Sequence, residues 1–370
     1  MLTGFIFLIY CKRFQKAFTV GRVNARPMPE SKTSSQATIG DVARRAAVSI
    51  ATVSRVLNQS APVAADTAAR VHAAIAELSY RPQAAARGLA RGRTNALGLI
   101  SDVISVPFFA PLLQGIESAA REAGFDVLIH CTQSEPTRGL GFQRPLGPHN
   151  VDGLLVFAGA LGDVELSYLH RRTFPLVLLH QSPPAGLDIP CVTFENKASA
   201  HKLTAHLIET HTCRHIAFLR GPESQEDSYW REQGYREALS AHGIAFDPAL
   251  LAMGGVKGSE AQASAERWLA SAAALDAVFC WDDDSALEVI QALQRAGKRV
   301  PEDVAVVGFD DIHLAHYLAP PLTTVRVPVE QAGREAVRQL VRLMETGQAD
   351  PVTLLPTQLV IRRSCGCNGR

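Results

Sequence analysis

Three short runs of helical apolar spacing between Thr38 and Ser79 leave this end of the chain little choice but a compact all-helical module. Thr38 can N-cap a helix through Ala46, with Ile39, Val42, Ala43 and Ala46 along one face and Asp41 in the first turn. Ala47-Val48-Ser49 makes a short turn. Ser49 then caps a second helix, Ile50 to Leu57, in which Val53, Val56 and Leu57 point inward while Thr52, Ser54 and Arg55 stay wet. Two short helices so joined are the layout that lets the second lie in a major groove. A third helix, Asp66 to Ser79, carries Val71, Ala74, Ile75 and Leu78 and closes the core.

Charge points the same way. From Ala37 to Asn95 there are eight arginines and no lysine against Asp41, Asp66 and Glu77, so this piece is +5 in a chain that is +1 overall, and the rest is about −4. One end is suited to neutralise phosphates and the other is not. Pattern and charge alone leave open a generic three-helix domain with a solvated basic face.

The letters narrow the choice. Thr38-Ile-Gly-Asp-Val-Ala-Arg-Arg-Ala-Ala-Val-Ser49, followed by Ile50-Ala-Thr-Val-Ser-Arg-Val-Leu-Asn58, closely resembles the headpiece of the lactose-repressor and purine-repressor family of bacterial transcription regulators. The resemblance runs to about Arg363, with one headpiece departure at Ala47, where many relatives have glycine. It implies that Ser49, Thr52, Ser54 and Asn58 contact the DNA backbone and that Ile50, Ala51 and Arg55 face bases. Arg55 can fork onto guanine O6 and N7, for about 1–3 kcal/mol of discrimination. Ile50 and Ala51 have no side-chain donors, so their readout is apolar, against thymine methyl groups; for Ile50 a core position is the alternative.

Beyond the third helix, Pro82 to Ala90 reads as a weak isolated helix, with a proline suited to the first turn, three alanines for it and Gly88 against it. So short a helix is marginal in water without partners. Alone it would be a plain linker. The resemblance makes it a hinge that orders on operator DNA, with Leu89 as an apolar wedge in the minor groove.

The 275 residues from Ala96 to Arg370 alternate strand and helix signals. β-rich runs stand at Ala96 to Ile100, Asp126 to Cys131, Val151 to Ala158, Pro175 to His180, His215 to Arg220, Leu275 to Trp281 and Asp303 to Phe309. Amphipathic stretches include Phe109 to Ala123, Tyr229 to Ala241, Glu260 to Ala270, Asp284 to Ala296 and Val329 to Met344. Such alternation argues for parallel sheets covered by helices on both faces. The fold expected is a small all-α helix-turn-helix headpiece plus an α/β core of two doubly wound parallel-sheet subdomains, which the resemblance likens to type I periplasmic-binding proteins. The divisions are an N-terminal extension, 1–36; the headpiece, 37–80; the hinge, 81–94; and an effector-binding and dimerisation domain, 95–370. Within the last, an N-subdomain takes about 95–193 and 324–353 and a C-subdomain about 194–323 and 354–370, with crossovers near Thr193, Thr324 and Thr353.

Ligands of open α/β sheets bind beyond the carboxyl ends of the strands. By resemblance, Phe109 is the ring that covers the ligand, Arg231 the fork onto ligand oxygens, Asp310 the carboxylate that accepts ligand hydroxyls or amines. Asp282 stands where many relatives have asparagine, and Glu195 holds an acidic position at a crossover. A stacking ring, a guanidinium and carboxylates suit a sugar or sugar derivative. Against this, Arg231 and Asp310 could be a plain ion pair, Asp282 to Asp284 a helix cap, and Phe109 core. Val256 replaces a stacking aromatic of the lactose and purine repressors and Gln225 an arginine of the purine repressor, which disfavours a purine-type effector. Arg138 to His149 departs further, with three glycines and two prolines where relatives have an ordinary helix.

No Walker loop, dinucleotide fingerprint or Gly-x-Ser-x-Gly elbow occurs, no catalytic set assembles, and no cofactor is implied. His201, His206, His211 and His215 are close in sequence, but the intervals of five between the first three turn successive side chains to different helix faces, which argues against zinc. Cys365 and Cys367 offer two ligands without an obvious second pair. The seven scattered cysteines suit reduced thiols of a cytoplasmic protein. Leu2 to Tyr10 is apolar but too short to cross a bilayer and has no positive charge ahead of it. Met28 is therefore read as the true start, which leaves 1–27 untranslated and Pro29 to Gln36 as a short polar lead before the headpiece. The expectation is a cytoplasmic, nucleoid-associated, effector-controlled transcriptional regulator, a homodimer on a pseudo-palindromic operator. The rivals are a two-lobed sugar-binding protein without a DNA-binding role and a sugar-modifying enzyme.

Overall fold

The computed structural model describes residues 37–58, 61–80, 93–102, 104–132, 146–223, 225–254, 259–270 and 275–368. The extension 1–36, most of the hinge with Leu89, Val256 and most of Arg138 to His149 lie outside the described residues. The chain divides into two compact units on either side of Gln83 and Ala84.

The smaller unit holds α1 (Ile39–Ala46), α2 (Ile50–Asn58) and α3 (Ala65–Glu77). Thr38 and Asp41 cap α1 reciprocally: Thr38 Oγ1 accepts from the Asp41 N–H at 3.3 Å, and Asp41 Oδ2 accepts from the Thr38 N–H at 2.9 Å. Ser49 Oγ accepts from the Thr52 N–H at 3.1 Å and so starts α2. The third helix begins at Ala65 without a side-chain cap and ends before Ser79, which turns left-handed at φ 47°. Val42, Ala43, Ala46, Val53, Val71 and Ala74 form the buried centre, and an exposed Arg45–Glu77 ion pair at 2.6 Å joins α1 to α3.

The larger unit begins β1 (Ala96–Ser101), α4 (Phe109–Glu122), β2 (Asp126–Cys131), β3 (Gly153–Phe157), α5 (Asp163–Arg171), β4 (Leu176–Leu179) and β5 (Cys191–Phe194). It then crosses into α6 (Asn196–His211), β6 (Ile216–Arg220), α7 (Glu226–Ala241), β7 (Leu251–Met253), α8 (Ser259–Ala270), β8 (Ala277–Cys280), α9 (Asp283–Arg295) and β9 (Ala305–Val307). It returns through β10 (Thr324–Arg326), α10 (Val329–Thr346) and β11 (Val352–Leu355), and ends with β12 (Gln358–Val360) and a tail. One sheet is ordered β11-β5-β4-β3-β1-β2 and the other β7-β6-β8-β9, both wholly parallel; β10 and β12 pair antiparallel between them in the chain's crossings. Leu97, Leu99, Leu155 and Val177 bury one sheet, Phe218, Phe279 and Val307 the other.

The seven β-rich runs each hold a strand: β2 coincides with its run, β1 extends one residue beyond it to Ser101, and the other five are trimmed at one or both ends. The sequence signals did not reveal α5, α6, or the strands β5, β7, β10, β11 and β12. Those strands are three or four residues long, too short for a period to register, and α6 spreads small and polar residues around its circumference.

Ala47 ends α1 at φ 54°, ψ 49°, its N–H reaching the Ala43 and Arg44 carbonyls. A Cβ in the left-handed region costs about 1–2 kcal/mol, partly offset by the looser unfolded chain that glycine brings. Ala47→Gly is therefore expected to stabilise the small unit by about 0.5–1 kcal/mol. Amide exchange across α1 in the full chain should slow a few-fold; unchanged or faster exchange would refute strain at this turn.

Candidate DNA-facing helix and effector cleft

On α2 the inward side is set by Val53, which is fully buried. The opposite side presents Ile50, 54 % exposed, with Ala51 and Arg55 also exposed. Ile50 is thus no core residue. Ser49 Oγ lies 2.9 Å from Thr52 Oγ1, and Asn58 Nδ2 donates to Ser54 Oγ at 3.2 Å. These four polar groups flank the exposed apolar and arginine side chains, an arrangement with phosphate-type donors around a base-type face.

In the larger unit the sheet carboxyl ends converge on Arg231, projected from α7 and only 2 % exposed. Its Nε donates to Asn196 Oδ1 at 2.9 Å, Nη1 to the Trp281 carbonyl at 2.5 Å, and Nη2 to Asp310 Oδ1 at 3.0 Å. The guanidinium lies over the Phe309 ring, 3.8 Å from its centroid. Two of its five N–H groups have no bond recorded among the described residues. Asp310 follows β9 in a left-handed turn at φ 105°. Burial pushes its carboxyl above the ordinary carboxylate range, Arg231 pulls it down, and Asp227 pushes it up again.

Asp227 stands one turn ahead of Arg231 on α7. It accepts from Asn196 Nδ2 at 2.7 Å and lies 3.3 Å from His180 Nδ1. Burial opposes its charge, yet the hydrogen bond and charge of His180, with Arg231 and Asn196, hold its pKa below the usual value. His180, at the end of β4, is 2 % exposed, and its Nε2 finds no partner among the described residues. Three phenylalanine rings surround the imidazole: Phe108 at 5.3 Å, Phe157 at 5.1 Å and Phe194 at 4.7 Å between centroids.

Two expected positions move by one residue. Phe109 is 2 % exposed and packs into the core of the sheet. Its neighbour Phe108 is the half-buried ring that meets His180 and, with Asp310, lines an open cavity of about 560 Å³. Glu195 spends its side chain capping α6, accepting from the Ala198 N–H at 3.1 Å, while Asn196 reaches the arginine. Asp282 likewise caps α9, accepting from the Ser285 N–H at 2.8 Å. Burial, with the charge of Asp310 adding, pushes its pKa up to about 7. Asp283 accepts from Thr324 Oγ1 at 2.6 Å and from the Ile312 N–H at 2.9 Å, tying a crossover to the end of β9. Gln225 begins α7 without capping it.

His180, Asp227 and Asn196 were not singled out from the sequence, though signals existed. His180 and Asn196 lie just past strand ends, and Asp227 is four residues ahead of Arg231, neighbours on a helix.

The expectation that His206 and His211 face apart fails. Their rings meet with centroids 5.2 Å apart, and the thiols of Cys365 and Cys367 join them. His211 is the last residue of α6, where Cα–Cβ bonds lean back toward the helix start, so its imidazole swings over the preceding turn.

Both units of the chain resemble known proteins. Residues 38–83 match the model "Bacterial regulatory proteins, lacI family", and residues 204–365 match a "Periplasmic binding protein-like domain". An HTH-type transcriptional repressor PurR from Aliivibrio fischeri is 32% identical over 333 residues, 89% of this chain and 98% of that protein. Among solved structures, the transcriptional regulator CelR–cellobiose complex superposes with a TM-score of 0.65 at 32% identity, covering 89% of this chain and 99% of that one. The Lac repressor dimer bound to operator and an anti-inducer superposes with a TM-score of 0.75 at 26% identity, with the same coverage.

The raised pKa of Asp282 has a stability consequence. The folded protein holds this proton more tightly than the unfolded chain, so the contribution is complete below about pH 4 and is lost as pH rises to about 7. Asp282→Asn keeps a cap oxygen for Ser285 and removes the charge beside Asp310. It should change stability little at pH 4 and add on the order of 3 kcal/mol at pH 8. Urea unfolding at both pH values checks this; an equal effect at both would remove the ionisation from the account.

Proposed function

The chain belongs to the lacI family of bacterial regulatory proteins, and from that premise we propose that the cleft around Arg231 senses a sugar-like metabolite while α2 reads operator DNA. The protein is a transcriptional regulator and not an enzyme. The observation that carries the effector class is the excess of acceptors: Asp227, Asp282, Asp283 and Asp310 gather near one buried guanidinium, and two of the four have pKa values raised in part by the charge of Asp310. A ligand bearing hydroxyl donors relieves that repulsion, whereas an anionic ligand would add to it. In this reading Asp310 accepts ligand hydroxyls, Arg231 offers its spare N–H groups to ligand oxygens, and Asp282 accepts through the oxygen that does not cap. His180 Nε2 gains the partner it lacks, and Phe108 takes the covering role expected of Phe109.

On DNA, Arg55 forks onto guanine, Ile50 and Ala51 meet thymine methyls, and Ser49, Thr52, Ser54 and Asn58 hold phosphates. Leu89 acts as the minor-groove wedge. A two-fold homodimer presents two such helices to a pseudo-palindrome. Its support in the larger unit is β2, an edge strand with Leu128 and Ile129 about two-fifths exposed. No helix among the described residues is long and apolar enough to cross a membrane, and the DNA target places the protein in the cytoplasm with the nucleoid.

A thermal-shift panel of sugars, polyols and sugar acids identifies the effector, since a ligand that prefers the folded state raises the melting temperature. With that ligand in hand, Asp310→Asn should keep operator affinity while losing the response to effector; a fully responsive variant would remove Asp310 from the site. Arg55→Ala should cost about 1–3 kcal/mol on operator DNA and little on random DNA. Equal losses on the two, measured by mobility shift at one salt concentration, would contradict base readout.

A further inference from the structure

At the end of α6 opposite Asn196, two histidines and two cysteines face one another across the C-terminal tail. The four ligand atoms of His206, His211, Cys365 and Cys367 all lie within 4.8 Å of one another. His206 Nε2 is 3.6 Å from Cys365 Sγ and 3.6 Å from Cys367 Sγ, and Cys367 Sγ is 3.4 Å from His211 Nε2. A tetrahedral zinc with bonds of about 2.3 Å to sulfur and about 2.05 Å to nitrogen has sulfur–nitrogen edges of about 3.5 Å. Three of the four sulfur–nitrogen edges match that figure.

We propose that His206, His211, Cys365 and Cys367 form a structural Cys2His2 zinc site that clamps the C-terminal tail to α6.

The surroundings orient each ligand toward a common centre. Thr210 Oγ1 lies 3.2 Å from His206 Nδ1, a bond that leaves Nε2 bare on the side of the sulfurs. Thr323 Oγ1 accepts from the Arg362 N–H at 2.9 Å and so turns its own proton to Cys365 Sγ at 3.1 Å, the hydrogen bond a metal thiolate receives. Gly366 stands between the cysteines at φ 106°, a conformation that brings both sulfurs to one side, and a Cβ there would come within 3.1 Å of the His211 ring. A surface cavity of about 500 Å³ lined by His211, Cys365 and Cys367 gives an ion its way in.

Two thiolates and two imidazoles in a tetrahedron select zinc among common divalent ions, and four protein ligands leave no position for a substrate. Binding releases the two thiol protons to solvent. The dication and two thiolates then sum to no net charge, which suits a half-buried place. Its effect is mechanical. Cys365 follows Ser364, whose hydroxyl donates to the Val306 carbonyl and accepts from the Thr323 N–H, so the clamp fixes the tail against β9 and the strand leading to β10. His201 takes no part, and His215 lies by Asp276 instead.

Full-length protein prepared without chelator in zinc-containing medium is expected to carry about one zinc per chain by elemental mass spectrometry. Cobalt substituted for it should give intense tetrahedral d–d bands and thiolate-to-cobalt charge transfer. His211→Ala with Cys367→Ser removes two partly exposed ligands and should abolish both, with circular dichroism unchanged; if this variant fails to fold, the wild-type cobalt spectrum decides. Thr210→Val, on the exposed side, should weaken zinc about 10-fold in competition with a chromophoric chelator. Protein that takes up neither metal with its thiols free, a Cys365–Cys367 disulfide in anaerobically isolated material, or a cobalt spectrum unchanged in the double variant would each overturn the site.

Discussion

The larger unit is organised around one buried cation. Taking a guanidinium out of water costs several kcal/mol, and Arg231 recovers it only because Asp310, Asn196, the Trp281 carbonyl and the Phe309 ring each arrive in place. Those partners come from the ends of β8 and β9 and from the start of α6. One side chain therefore fixes three strand-end loops at once. It also sustains Asp310 at φ 105°, a conformation an aspartate keeps only when its surroundings over-determine it. Loss of the arginine would leave buried carboxylates uncompensated, a heavier penalty than loss of a contact.

From this centre, bonds cross between the two sheets' halves of the unit. His180 follows β4 in the six-stranded half and meets Asp227 on α7 of the other; Ser182 binds Glu226 through both its N–H and its hydroxyl. These polar links lie beside one buried apolar cluster that holds residues of both sheets, Leu97, Leu155, Phe218 and Phe279 among them. A ligand that satisfies His180 and Asp310 differently in two poses shifts their balance, and only by its difference in affinity between them. The six-stranded half is also where the chain from the DNA-facing unit enters: Asp152 accepts from the N–H groups of Thr94 and Asn95 and from the Thr94 hydroxyl at 2.7–2.9 Å. The first residues after the linker are thus tied to the six-stranded half.

What could be seen in the sequence followed the range of the forces involved. The small unit was legible almost to the residue, because Thr38 with Asp41, and Ser49 with Thr52, cap their helices within four positions of chain. The strand-end rule said where to look, and the family resemblance, not spacing, picked out Arg231 and Asp310. Phe109 and Glu195 show the limit of that rule. Neighbouring residues at a helix start point about 100° apart, and only the packing of α4 on its sheet decides that Phe108 faces His180 while Phe109 fills the core. The same ambiguity separates Glu195, which caps, from Asn196, which reaches the arginine. The paired histidines were misjudged for a different reason: face-by-face counting holds inside a helix, and His211 is where α6 stops.

That helix connects the two features that matter most. Asn196 opens α6 inside the arginine network, and His206 and His211 close it roughly 20 Å away at the tail. A helix held at one end only can dissipate a ligand's pull by fraying at the other, since its last carbonyls have no partners of their own. With the tail clamped across its final turn, α6 moves as a rod. In the proposed reading, free energy released by a ligand at Asn196 and Arg231 is not lost to fraying of that last turn. Amplification of small shifts requires packed elements with two discrete arrangements, not compliant ones. A structural ion at a site that never touches the effector would therefore still set how faithfully effector binding reaches the DNA.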